Sequence, residues 1–95
     1  MRAVSWADAA KQDLANIDDW YDQRDPDYAD RIGDSAIAAA KLITEFPHAG
    51  AALDGTQVRK WNIAGTDYRL VYLVTENQVE IVRVRHAREN WRDEV

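Results

Sequence analysis

The stretch that decides the fold is a pair of apolar runs, Tyr68-Arg69-Leu70-Val71-Tyr72-Leu73-Val74 and Val79-Glu80-Ile81-Val82-Arg83-Val84-Arg85-His86. Both runs are rich in β-branched and aromatic residues. The polar residues between them, 75–78, predict a β-hairpin with a two-residue turn at Glu76-Asn77. Strict alternation places apolar side chains on both faces of this hairpin: Tyr68, Leu70, Tyr72 and Val74 on one, and Val71, Leu73, Val82 and Val84 on the other. We therefore expect either a partner that covers one face or a sheet that is more enclosed than so short a chain suggests.

Two helices are predicted before this hairpin. Residues 8–23 carry apolar side chains at helical spacing, namely Ala10, Leu14, Ile17 and Tyr21. A second helix is expected to begin at Asp25-Pro26, because Asp is a good N-cap and Pro suits the first helical position. Pro47 ends this helix near Phe46. The short connection between the two helices predicts an antiparallel helical hairpin.

The remaining segments complete the order β-α-α-β-β-β. Residues 2–6 are predicted as an edge strand, 47–56 as a loop and 58–63 as a strand. Three consecutive strands at the end favour an antiparallel meander with the helical hairpin packed on one face of a small antiparallel sheet. Residues 88–95 are expected to form either a short C-terminal helix or a loose tail. The fold class is therefore α+β, in one domain over residues 1–95.

The composition limits the classes of function. The 95 residues carry a net charge of −5, which argues against non-specific nucleic-acid binding, since that usually needs a basic surface. There is no cysteine, and no apolar run is long enough to span a bilayer or to resemble a secretory signal. We therefore expect a cytoplasmic protein without a membrane partner. Residues 1–50 carry 10 acidic and 5 basic side chains, and residues 58–92 carry 4 acidic and 7 basic ones. This is either ordinary surface variation or a pair of surfaces with separate partners.

One group of side chains could carry chemistry: Arg69, Arg83, Arg85, His86 and Arg88. Guanidinium groups hold phosphates, and a histidine transfers protons near neutral pH, so this set would suit RNA cleavage. The alternative is a set of strand-end charges in ordinary ion pairs. With an uninterrupted two-residue-turn register, Arg69 and His86 share one face of the hairpin, and Arg83 and Arg85 share the other. No metal site or cofactor is expected, because His48 has no nearby cysteine or second histidine.

The tryptophans suggest two kinds of environment. Trp6, Trp20 and Trp61 are expected to be core or core-edge anchors. Trp91 follows the last strand in a charged segment and is either an exposed interface residue or part of a tail packed on the sheet.

The chain resembles the RelE/ParE superfamily of toxins from bacterial type II toxin–antitoxin systems. The resemblance covers essentially the whole chain. It rests on the order and spacing of five motifs: Ala10-x-x-Asp13-Leu14-x-x-Ile17, Phe46-Pro47-x-x-Gly50, Val58-Arg59-x-x-x-Ile63, Tyr68-Arg69-Leu70-Val71-Tyr72 and Ile81-Val82-Arg83-Val84-x-His86-x-Arg88.

The resemblance implies a cognate antitoxin from the adjacent gene, bound to this chain in a hetero-oligomer. It also implies one of two targets. ParE-like toxins poison DNA gyrase and need no catalytic centre. RelE-like toxins are ribosome-dependent mRNA endonucleases, and Arg69, Arg83 and His86 would be the corresponding catalytic residues here. The terminal Tyr of the RelE-like pattern is absent from this sequence, which favours the ParE-like branch.

The resemblance also suggests which residues meet each partner. For contact with gyrase, and thus for toxicity, the candidates lie at the last strand and tail: Arg83, His86, Arg88 and Trp91. For contact with the antitoxin, they lie on the hairpin and the first helix: Tyr68, Leu70, Tyr72, Trp20 and Tyr21.

Overall fold

The computed structural model describes residues 3–53 and 57–88, which form two helices on one face of a five-stranded sheet. The elements are β1 (Ala3–Trp6), α1 (Asp8–Asp22), α2 (Pro26–Glu45), β2 (Ala51–Ala52), β3 (Val58–Asn62), β4 (Tyr68–Val74) and β5 (Gln78–His86). The predicted α+β order is confirmed. The short helix or tail predicted for residues 88–95 lies, from 89 onward, outside the described residues.

The sheet differs from the prediction in two details. The strand order is β1-β5-β4-β3-β2, and β1 is an edge strand, as expected. However, β1 runs parallel to β5, with Ala3 opposite Gln78 and Trp6 opposite Ile81, so the sheet is mixed. The second difference is β2, a two-residue edge strand inside the segment that was predicted to be loop. Two alanines beside a Gly and a Pro carry too little β signal to be recognised.

Local sequence explains where the helices begin and end. The Asp25 side chain accepts a hydrogen bond from the Tyr28 N–H at 3.1 Å, and Pro26 occupies the first turn of α2. At the start of α1 there is no side-chain cap. Instead the Ala7 N–H donates to the Ile81 carbonyl at 2.9 Å, which extends the β1–β5 pairing to the first residue before the helix. This hydrogen bond fixes the start of the helical hairpin to the sheet at Ala7, the N-cap residue of α1.

A β-bulge changes the faces of the β4–β5 hairpin. Near the turn the register is the predicted one, with Val74 opposite Val79 and Tyr72 opposite Ile81. The register then shifts by one residue between Val71 and Tyr72, so Val71 lies opposite Arg83. Because side chains alternate with a period of two, one extra residue moves every later side chain of β5 to the other face. The predicted faces of β5 beyond Val82 were therefore wrong.

The sheet has an apolar cluster on each face. The larger cluster packs under the helices and contains Leu70, Tyr72, Ile81 and Val84 from the sheet, with the α2 stripe Ala36, Ala39, Ala40 and Ile43. The smaller cluster lies on the opposite face, where Leu53 and Val58 enclose Val71, and Leu73 and Val82 pack against them. Val84 thus belongs to the helix side, contrary to the predicted alternation. The second face is partly covered by the chain itself.

Trp20 corrects another expectation. Trp6 and Trp61 pack against the main core, but the Trp20 side chain is 57% exposed on α1.

Neither described helix combines the length and apolar character that crossing a bilayer requires.

The Tyr72 hydroxyl fixes the loop that leads from α2 into β2. It donates to the Pro47 carbonyl and accepts from the Gly50 N–H, both at 2.9 Å. Gly50 is required at this place, because a Cβ there would overlap the Tyr72 ring and the Lys60 carbonyl oxygen. Burial raises the pKa of Tyr72 above its usual 10.0, although the Gly50 hydrogen bond and the charge of Arg59 oppose that shift. The hydroxyl therefore remains protonated and donates at neutral pH.

Replacing Tyr72→Phe is expected to lower the free energy of unfolding by about 1–3 kcal/mol, because it leaves the Pro47 carbonyl and the Gly50 N–H without this partner. Urea denaturation at pH 7 would measure the loss. Tyr21→Phe is the matched control, since the Tyr21 ring packs edge-on against Tyr28 and its hydroxyl has no recorded partner among the described residues. Equal losses in both variants would show that the hydroxyl does not stabilise the loop.

Candidate functional site

The arginines and the histidine predicted to form one cluster are divided between different surfaces. Arg69 and Arg85 lie directly opposite each other on β4 and β5, on the face away from the helices. The Arg69 Nε donates to the Asn62 side chain at 2.8 Å. Lys60 on β3 belongs to the same face, since it lies opposite Val71. Lys60 and Arg69 line one pocket on this face. Arg85 instead lines a pocket with Asp13, Asn16 and Ile17 of α1, and its positive charge helps to lower the pKa of Asp13.

His86 lies on the other face of the sheet, beside the helices. It is opposite Tyr68, and the two rings meet edge to face with centroids 5.1 Å apart. The His86 Nδ1 accepts a hydrogen bond from the Arg88 N–H at 3.1 Å. The predicted pairing of His86 with Arg69 was wrong, because the bulge reverses the facing of every residue after it.

Arg83 is held by Asp13 of α1. Its Nε and one terminal nitrogen each lie 2.8 Å from a different carboxylate oxygen of Asp13. The Asp13 carboxylate also accepts the Val84 N–H at 2.9 Å. Asp13 therefore covers the edge of β5 beyond the last residue that pairs with β1 and joins α1 to the sheet. This contact gives Arg83 a structural role.

The Asp13 carboxylate is ionised over a wide pH range. Burial alone would raise its pKa, but the hydrogen bonds from Arg83 and the Val84 N–H, with the positive charges of Arg83 and Arg85, hold its pKa below the usual 3.8. The Asp13 side chain is only 11% exposed and that of Arg83 28% exposed. The pair is thus more shielded from water than an ordinary surface ion pair.

The residues predicted for antitoxin contact fall into two groups. Leu70 and Tyr72 are completely buried under the helices, so their side chains are not available to a partner in this conformation. Tyr68 and Tyr21 are partly buried, and Trp20 is exposed. Of the residues predicted for toxicity, Arg88 is exposed and His86 partly buried, whereas Trp91 lies outside the described residues.

A groove between α2 and β3 was not predicted from the sequence. It has a volume of about 250 Å³ and is mainly apolar, with a lining of Ser35, Ala38, Ala39, Leu42, Trp61, Asn62 and Ala64. The signal that could have revealed it is the presence of apolar residues on α2 outside the buried stripe. Ile37 and Leu42 are both exposed, and so is Phe46 at the end of the helix. A helix with apolar residues on more than one side has more apolar surface than one sheet can bury.

Comparisons with known proteins agree on the family. The profile described as "ParE toxin of type II toxin-antitoxin system, parDE" matches residues 4–91. Toxin RelE2 of Caulobacter vibrioides is 32% identical over 87 residues, which are 92% of this chain and 97% of that relative.

Solved structures share the fold. The chromosomal ParDE system from P. aeruginosa contains a chain that superposes with a TM-score of 0.78 at 20% identity, over 90% of this chain and 96% of that one. The YoeB dimer from Staphylococcus aureus superposes with a TM-score of 0.63 at 16% identity, over 90% and 95%.

A helical hairpin on a mostly antiparallel sheet, with these matches over nearly the whole length, defines the toxin component of a type II toxin–antitoxin system. The chain belongs to the ParE toxin family, within the RelE/ParE superfamily. The resemblance in the sequence motifs is thus confirmed.

Replacing Asp13→Asn is expected to lower the free energy of unfolding by about 2 kcal/mol at pH 7, because Arg83 loses its charged partner in a partly buried place. The Asp13 pKa is lower in the folded chain than its unfolded value of about 3.9. Its contribution is therefore complete above about pH 4 and is lost as the pH falls through the lowered folded pKa. The stability gap between the two proteins should then shrink below about pH 4, which urea denaturation at several pH values would measure.

Asp18→Asn is the control for this prediction, because Asp18 is exposed on the same helix and has no recorded ion pair with another described residue. It should leave the stability at pH 7 nearly unchanged. If the difference in the free energy of unfolding between wild type and Asp13→Asn stayed constant down to pH 2, the role of the Asp13 charge would be contradicted.

Proposed function

We propose that this toxin inhibits growth by binding and poisoning DNA gyrase and that a cognate antitoxin from the adjacent gene neutralises it. The proposal combines membership of the ParE family with one feature of the site. The groups that an mRNA endonuclease would need do not converge on one point. We also propose that the toxin acts in the cytoplasm.

The division of the side chains is the observation that carries this proposal. A phosphodiester-cleaving site needs a proton-transferring group and phosphate-binding cations within reach of one phosphate. Here His86 lies on the helix face with Tyr68, and Arg69 and Arg85 lie on the opposite face. Arg83 is engaged by Asp13. A protein that acts by binding needs no such convergence, so the geometry is more easily reconciled with a target-binding toxin.

Gyrase supercoiling of plasmid DNA is the direct test of this function. We expect the purified toxin to inhibit supercoiling and to accumulate cleaved DNA complexes, and we expect the co-purified antitoxin to reverse both effects. The control is the same toxin after heat denaturation. Folded toxin that arrests growth and leaves gyrase activity unchanged would exclude gyrase as the target.

The alternative function is ribosome-dependent mRNA cleavage. One observation favours it: Lys60 and Arg69 line one pocket on the sheet face away from the helices, where an RNA phosphate could bind. The relative Toxin RelE2 carries the name of the RelE branch, which also favours mRNA cleavage. Primer-extension mapping of mRNA on ribosomes, with wild type and Arg69→Ala, distinguishes this function from the first one.

We propose that the antitoxin occupies the groove between α2 and β3. Its apolar lining is open to solvent in the free chain, and Leu42 within that lining would remain exposed without a partner. An amphipathic segment that places aliphatic side chains in a groove of this kind is a common mode of recognition. This site replaces the buried Leu70 and Tyr72 as the candidate for antitoxin contact.

Replacing Ala38→Arg should block this groove and weaken antitoxin binding about 100-fold or more, because a long charged side chain would occupy the place of an apolar one. Ala38 is exposed on α2, so the fold should persist. Isothermal titration with the antitoxin would measure the affinity. Ala9→Arg is the matched control, since Ala9 is an exposed alanine on α1. Equal affinities for both variants would place the antitoxin elsewhere.

A further inference from the structure

Trp20 is a large aromatic side chain that the fold leaves in water. It is 57% exposed near the end of α1. Its position is nonetheless fixed, because the Arg24 guanidinium stacks 3.7 Å from the centre of the indole ring and donates to the Trp20 carbonyl at 2.6 Å. Tryptophan is among the residue types that contribute most to protein interfaces. A Trp held in place at the surface loses little conformational entropy on binding.

The surroundings of Trp20 carry the whole net charge of the protein. Residues 18–34 lie around the turn between α1 and α2, and we call them the hairpin end. They contain seven aspartates and two arginines, a net charge of −5. The entire chain also has a net charge of −5, so the rest of the molecule is balanced. None of these aspartates has a recorded ion pair with another residue of the described ranges. The hairpin end is therefore a strongly negative surface with an apolar anchor within it.

The position of these charges is unfavourable for the free protein. Asp19 and Asp22 lie in the last turn of α1, which contains no basic residue. Negative charge at the C-terminus of a helix is destabilised by the helix dipole, and neighbouring carboxylates repel one another. Such a cost is expected where charges serve a partner and not the fold.

The hairpin end is also held against the strand exit that was predicted to contact the target. The Tyr28 hydroxyl accepts the Asp67 N–H at 3.1 Å. The Asp67 carbonyl in turn accepts the Ala87 N–H at 2.8 Å, next to His86 and Arg88. Tyr21 packs edge-on against Tyr28, with ring centroids 4.9 Å apart. The two regions therefore form one end of the molecule, in which the negative charge belongs to the hairpin end.

We propose that the hairpin end docks on a lysine- and arginine-rich surface of the target enzyme, of the kind that holds DNA phosphates, with Trp20 as the apolar anchor. This inference rests on the proposed function, since an enzyme that acts on DNA must present such a surface. Trp20 thereby changes from an antitoxin contact, as the sequence predicted, to a target contact. Attraction between opposite charges would speed association, and burial of the Trp20 indole in the interface would slow dissociation.

Two substitutions test the two parts of this surface in the gyrase assay. Trp20→Ala should raise the concentration for half-inhibition about 30-fold. The double substitution Asp19→Asn and Asp22→Asn should raise it about fivefold and should make inhibition less sensitive to added NaCl. Neither change should unfold the chain, because both sites are exposed and the aspartates oppose the helix dipole. Thermal unfolding would verify this.

Matched controls use residues of similar exposure outside the hairpin end. Phe46→Ala removes an aromatic side chain that is 58% exposed, and the double change Glu45→Gln and Glu76→Gln removes two exposed carboxylates. Both should inhibit gyrase like wild type. Antitoxin affinity, measured in parallel, should be the same for Trp20→Ala and for wild type.

The outcomes separate this inference from the function on which it rests. Inhibition by wild type with the expected losses, and unchanged controls, would support both. Inhibition by wild type that neither hairpin-end variant weakens would overturn the inference and leave the gyrase proposal standing. A loss of antitoxin affinity in Trp20→Ala without a loss of inhibition would assign the surface to the antitoxin and also overturn the inference. Wild-type toxin without any effect on gyrase would overturn both.

Discussion

The contact of Asp13 with Arg83 and Val84 is the constraint on which the arrangement of the sheet depends. β1 ends where α1 begins, so β5 continues for several residues without a strand beside it on that edge. Asp13 supplies what a strand would have supplied, an acceptor for the Val84 N–H, and it adds a two-point contact with Arg83. An unsatisfied N–H next to a packed helix would cost more than the entropy of fixing one aspartate. The same carboxylate therefore joins α1 to the sheet and holds the Arg83 guanidinium in place.

The β-bulge is a second constraint, because it decides which side chains share a face of the sheet. Without it, Arg69 and His86 would share one face and could approach one phosphate. With the shift between Val71 and Tyr72, Arg69 joins Arg85 on the open face and His86 joins Tyr68 under the helices. A single extra residue in a strand thus separates a potential proton donor from the cations that would hold its substrate.

Much of the fold could be predicted from the sequence, because its main signals are local and strong. The helical spacing of Ala36 and Ile43, the cap at Asp25 and the turn after Val74 are each determined by neighbouring residues, and each was confirmed. The errors have a common physical origin in contacts between distant parts of the chain. Neither the bulge nor the parallel pairing of β1 leaves a pattern in the local sequence. The Tyr72 hydroxyl, for example, bonds Gly50, which lies 22 residues earlier.

The charges also have a consequence for how such a toxin can be neutralised. The apolar groove lies between α2 and β3. Lys60 and Arg69 lie on the face of the sheet away from the helices, and the negative hairpin end lies next to the exit of β5. An antitoxin segment in the groove would not cover the hairpin end merely by filling the groove. Neutralisation would then require either that the segment continue along the chain to the target surface or that the bound antitoxin prevent docking by its bulk. These two mechanisms differ physically: the first needs basic residues in the antitoxin that complement the aspartates, and the second needs none. The charge of the antitoxin beyond its groove-binding segment would therefore distinguish these two mechanisms of neutralisation.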